Sequence, residues 1–131
     1  MFIWFAVVSV VLVAIVFRSS GLDYRYVMVG AVLPVGEGLL GGPRLAHSVV
    51  GAVVLLGVVM AATRGRRLVR RRVLGIPIGV MAHLVLDGSF TRVESFWWPL
   101  GGLGVPEGQI PEWEHLAVSL VLELVGIAVA F

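Results

Sequence analysis

The chain has no cysteine and no lysine, and only 14% of its 131 residues are charged. Without cysteine there is no disulfide framework, thiolate zinc site, iron–sulfur cluster or cysteine nucleophile. The shortage of charge, against about 25% in an ordinary soluble domain, argues against a disordered chain and against a water-soluble globule. Without lysine every basic group is an arginine, and six of the ten arginines fall between Arg64 and Arg72. The formal net charge of +2 is therefore a local feature.

What the chain has in excess is apolar surface, at 59% of residues. A soluble domain of this size could not hide that much. Composition thus predicts an all-α integral membrane protein. The expected architecture is one domain, a bundle of four to five transmembrane helices, with segments at about 1–17, 26–40, 45–63, 68–87 and 116–131. The second segment is interrupted by Pro34, Gly36, Glu37 and Gly38, which predicts a short or re-entrant element. Residues 1–17 have no basic residue before them and are followed by Arg18, so they read as a retained helix rather than a secretory signal.

The arginine cluster between Arg64 and Arg72 reads as a topology signal that keeps its loop in the cytoplasm. Its partners would be anionic lipid headgroups, each arginine adding about 1 kcal/mol of attraction, and not nucleic acid. The segment Asp87–His115, with its outer loop at about 88–115, then falls outside and carries Asp87, Glu94, Glu107, Glu112 and Glu114 against only Arg92. Phe90, Phe96, Trp97, Trp98 and Trp113 read as an interfacial aromatic belt. The expected location is the cytoplasmic (inner) membrane, multi-pass, with the N-terminus outside and the C-terminus inside. A membrane-protein partner or a homo-oligomer is compatible with that surface.

Chemistry-bearing residues converge on one end of this arrangement. His83 and Asp87 stand four apart, on one helix face. The same stripe runs back through Gly79 and Gly75, and the third segment carries a matching His47 and Gly51. Small residues permit close helix contact, so Gly51 against Gly79 predicts that His47 lies beside His83. Two imidazoles with one or two carboxylates suit one divalent ion (zinc, manganese or iron), and Glu37 supplies the extra carboxylate. His83 and Asp87 would be the catalytic pair, and hydrolysis the reaction class. The alternative use of His83 and Asp87 is a hydrogen-bonded pair that fixes helix packing.

Other groups read more plainly. Ser48 adjoins His47, but neighbours on a helix do not face each other, and no nucleophile elbow is present. His115 with Glu112 and Glu114 reads as a solvated helix start. Asp23 and Arg25 read as an exposed ion pair. Glu123 is expected to bond another helix or line a polar cavity.

These residues resemble a bacterial inner-membrane family of metal-dependent hydrolases, also described as LexA-binding and inner-membrane-associated. The resemblance runs over about residues 26–100 and is nearest to short actinobacterial-type members. It rests on Leu33-Pro34-Val35-Gly36-Glu37, on Arg44-Leu45-Ala46-His47-Ser48, on His83-Leu84-Val85-Leu86-Asp87 with Thr91 after it, and on Phe96-Trp97-Trp98-Pro99. The family pattern has aspartates where Val35 and Glu37 stand, a further histidine before His47, and a Thr-His pair early in the chain that residues 1–17 lack. The resemblance implies a membrane-embedded metal-dependent hydrolase with Glu37, His47, His83 and Asp87 as ligands at the outer face. A non-enzymatic assembly or structural subunit is the second expectation, and a small transporter built around Glu123 the third.

Overall fold

The computed structural model describes residues 1–39, 45–102 and 116–131. All its regular structure is helical: α1 (Phe2–Phe17), α2 (Tyr24–Leu39), α3 (Val49–Ala62), α4 (Arg67–Val73), α5 (Gly75–Leu86), α6 (Val93–Phe96) and α7 (Leu116–Ala130), with short 3-10 turns at Leu45–His47 and Ser89–Thr91.

The transmembrane expectation is corrected here. Among the described residues no helix is long and apolar enough to cross a membrane. The longest, α1 and α2, have 16 residues each, about 24 Å of rise against a hydrocarbon core of about 30 Å. The bundle of transmembrane helices, the integral-membrane class and the inner-membrane location all fall with this finding. The inside–outside assignment of loops and the aromatic belt, which depended on them, fall too. Composition counts apolar residues, whereas spanning needs them in one uninterrupted helix. Here Arg18 in the left-handed region ends α1 at φ 45°, and the apolar stretch around residue 74 is divided between α4 and α5. Pro77 contributes to that division, since it has no N–H to give to the carbonyl of Val73.

The second segment is also corrected. It is one continuous helix with Pro34 inside it, not a re-entrant element. At its start the Asp23 carboxylate accepts the backbone N–H of Arg25 at 3.2 Å. Asp23 therefore serves the turn into α2 rather than an ion pair with the Arg25 guanidinium.

Helix α5 is central, touching α1, α2 and α3. It buries Gly75, Pro77, Gly79, Val80, Ala82, His83 and Leu84, and leaves one face exposed at Met81 and Val85. Its most extensive contact is with α2. The two backbones nearly touch: a Cβ on Gly79 would collide with the Val27 carbonyl oxygen, and one on Gly30 with the Ile76 carbonyl oxygen. The glycine stripe therefore works as small residues do, but its partner is α2 and not α3. Helix α3 packs on another side of α5 through Ala52, against Val80 and Leu84. Gly51 faces its own approach turn, where a Cβ would meet the Leu45 carbonyl.

Helix α1 covers the α2–α5 pair through Phe5, against Ala31 and Val35, and through Val13, against Val27 and Ala82. Helix α7 rests on α1 at Gly126, where a Cβ would stand 2.8 Å from the Cα of Trp4. The arginines of the cluster lie on α4 and the turn before it, mostly exposed.

Candidate metal centre

The end of the bundle where α2 and α5 finish and α3 begins collects the predicted groups. His47 closes the Leu45–His47 turn and is buried. Ser48 follows as the N-cap of α3: its hydroxyl accepts from the Gly51 N–H at 2.9 Å and donates to the Leu45 carbonyl at 3.0 Å. Ser48 is thus a helix cap, and together with Gly51 it holds the turn that aims His47. From the last turn of α5 His83 enters the same space, fully buried. The two imidazoles meet edge to face, with ring centroids 5.4 Å apart.

Asp87 caps the C-terminal end of α5, and Gly88 turns the chain away with φ +67°, a conformation glycine adopts without strain. The Asp87 carboxylate accepts the Ser89 hydroxyl at 2.7 Å. The next turn is closed by Thr91, whose hydroxyl donates to the Gly88 carbonyl at 2.8 Å. One ligating atom each from His47, His83 and Asp87 lies within 4.8 Å of the others. Donors 2.0–2.1 Å from a tetrahedral ion stand about 3.4 Å apart, so the cluster would close by at most about 1.4 Å to hold one.

The proton positions on the rings follow from their partners. His83 Nδ1 lies 2.8 Å from the Ala31 carbonyl oxygen. A carbonyl only accepts, so Nδ1 carries the hydrogen. A carbonyl oxygen has two lone pairs, so Ala31 can accept from His83 while it remains part of α2. On α1, the Phe5 ring covers His83, centroids 4.0 Å apart. Burial, and next the neighbouring His47, push the His83 pKa down to about 3, against the opposing effect of the Ala31 hydrogen bond. His83 is therefore a neutral imidazole near pH 7, with a lone pair at Nε2.

His47 Nδ1 lies 3.3 Å from Glu37 Oε2, which also accepts the Ala46 N–H at 2.9 Å. The Nε2 atoms of both His47 and His83 are buried and have no hydrogen-bond partner among the described residues. An unpartnered buried nitrogen is costly in a folded protein, and two beside one carboxylate match the donor set of a divalent cation. On this chemistry the residues fit a metal.

Sequence reasoning missed three contributors. Phe5 carries no chemical signature of its own, the Ala31 carbonyl is backbone, and Ser89 is marked only by its position two residues after an aspartate. His115, Glu107, Glu112, Trp113 and Glu114 lie outside the described residues. Glu123 accepts the N–H groups of Ile3 at 3.2 Å and Trp4 at 3.1 Å, so it caps the start of α1 from α7.

Comparison with protein-family models, with curated proteins and with solved structures yields no match to this chain. The site is accordingly read from its own donors.

Proposed function

We propose that this helical protein binds one divalent ion (zinc, manganese or iron) through His47, His83 and Asp87, and uses it for hydrolysis. The observation that carries the reading is the gathering of one ligating atom each from His47, His83 and Asp87 within 4.8 Å, with both Nε2 atoms buried and unpartnered among the described residues. Three protein ligands leave a coordination position open, as hydrolytic sites require. The resemblance to metal-dependent hydrolases, on Leu33–Glu37, His47 and His83–Asp87, points the same way. A bound ion would supply Lewis acidity toward water and a substrate oxygen. The chain's own residues set the surroundings. Phe5 and the α2 backbone close off the far side of His83. Asp87 is partly exposed and marks the side from which a substrate arrives.

A second, non-enzymatic reading is favoured by the complete burial of His83. Closed sites are typical of structural metals, and the ion would then fasten α5 to the start of α3.

The test is metal content after incubation with zinc, manganese or iron and exhaustive dialysis. Wild type should retain one ion per chain, and the double variant His83→Ala, Asp87→Ala should retain none while keeping its helical circular dichroism. Equal retention by both proteins overturns the proposal. Chelator-sensitive cleavage of simple phosphate or carboxylate esters by the loaded protein selects the hydrolytic reading, and its absence selects the structural one.

A further inference from the structure

We infer that Glu37 is a positioning residue for His47 and not a metal ligand. The inference rests on the metal reading above and deepens it. Glu37 stands on the last turn of α2, and its Oε2 meets two groups of the turn that carries His47: the Ala46 N–H at 2.9 Å and His47 Nδ1 at 3.3 Å. An oxygen that takes the Ala46 N–H is acting as an acceptor, so the ring nitrogen turned toward it presents a hydrogen. A neutral imidazole with hydrogen on Nδ1 keeps its lone pair on Nε2. That Nε2 is buried and without a partner among the described residues. The mutually close set of metal-ligating groups is His47, His83 and Asp87, and Glu37 is not part of it. The carboxylate thus sits behind the ligand histidine, on the opposite ring nitrogen.

The arrangement follows a general pattern in which a ligating histidine gives its other N–H to a carboxylate or a carbonyl. Here each ring has such a partner, Glu37 for His47 and the Ala31 carbonyl for His83. Both partners come from α2, so one helix sets the tautomer of both rings. It also joins the end of α2 to the start of α3: Glu37 holds the Ala46–His47 backbone in place, and the Ser48 cap continues that turn into the helix. The consequence is a three-residue ligand set in which Glu37 tunes the basicity and the aim of His47.

Imidazole nitrogen NMR on metal-free protein tests this directly, with Glu37→Gln and Glu37→Ala beside wild type. Wild type and Glu37→Gln, whose amide oxygen still accepts, should show hydrogen on Nδ1 of His47. Glu37→Ala should move it toward Nε2. Zinc affinity, measured by competition with a chromogenic chelator, should fall about 10–100-fold in Glu37→Ala and much less in Glu37→Gln. The visible spectrum of the cobalt-loaded protein should be the same in wild type and Glu37→Gln. Hydrogen on Nε2 in wild type overturns the inference. So does a Glu37→Gln variant whose metal affinity and cobalt spectrum change as much as those of His47→Ala, since Glu37 would then be a ligand. The tautomer is read without metal. A protein that binds no ion therefore defeats the metal reading alone, and the NMR result still decides the role of Glu37.

Discussion

The phenyl ring of Phe5 lies against the imidazole of His83, centroids 4.0 Å apart and planes inclined by 38°. The contact brings α1 over a residue of α5 whose other edge meets His47. With Ala31 holding Nδ1, His83 is fixed in position, shielded from water and kept neutral.

This shielding has a pH signature. The folded His83 has a pKa of about 3, and the ordinary value is 6.5. Between these values the unfolded chain binds a proton at this residue that the folded chain does not. Acid therefore favours unfolding, and stability from this group is complete above pH 6.5 and lost as the pH drops toward 3. The slope from one such residue is at most about 1.4 kcal/mol per pH unit. Urea unfolding of metal-free protein from pH 7 to pH 4 should show a steeper loss for wild type than for His83→Gln. Parallel profiles would show that His83 titrates normally in the fold.

Two glycine substitutions should have opposite effects. Gly79→Ala places a methyl against the Val27 carbonyl and within 3.0 Å of the Gly30 Cα. Backbone on both sides cannot give way without parting the helices, so a loss of about 1–3 kcal/mol is expected, as for overpacked cores. Gly57→Ala, in α3, meets nothing within 4 Å among the described residues and should stabilise the protein by about 0.5–1 kcal/mol through helix propensity. Denaturant midpoints measure both. A neutral Gly79→Ala would mean that α2 and α5 are not in backbone contact.

Glu123 makes a third test. Its two oxygens accept the Ile3 and Trp4 N–H groups, which a helix start otherwise leaves without intrahelical partners. Glu123→Ala should lower stability by about 1 kcal/mol, the usual worth of a lost cap. Glu123→Gln, which keeps an acceptor but loses the charge, should cost less. Thermal unfolding at matched pH ranks the three proteins. Equal loss in both variants would show that charge rather than hydrogen bonding holds α7 to α1.

Metal loading supplies a stability readout as well. A ligand that binds only the folded state raises unfolding free energy by about 2.7 kcal/mol at a hundredfold excess over its Kd. Saturating zinc should therefore raise the melting temperature of wild type and leave that of His83→Ala, Asp87→Ala unchanged. An equal response in both proteins would place the ion elsewhere.

The sequence by itself determined the local elements. Apolar runs mark where helices run, although the interruption expected at Pro34 did not occur and the division between α4 and α5 was not expected, and the four-residue spacing of His83 and Asp87 puts both at one end of α5. It also brought His47 to the same place as His83, although through an expected Gly51–Gly79 contact that does not exist. Only the tertiary structure decided which faces meet. A glycine stripe states that something comes close without naming the partner, and here the partner is α2. The membrane expectation failed for a related reason. Apolar content fixes how much surface seeks cover, while helix length and the helix breaks decide what geometry is available for covering it. The proton positions on the histidines were likewise invisible in one dimension. They depend on the Ala31 carbonyl and the Glu37 carboxylate, and hydrogen bonds between distant residues exist only once the chain has packed.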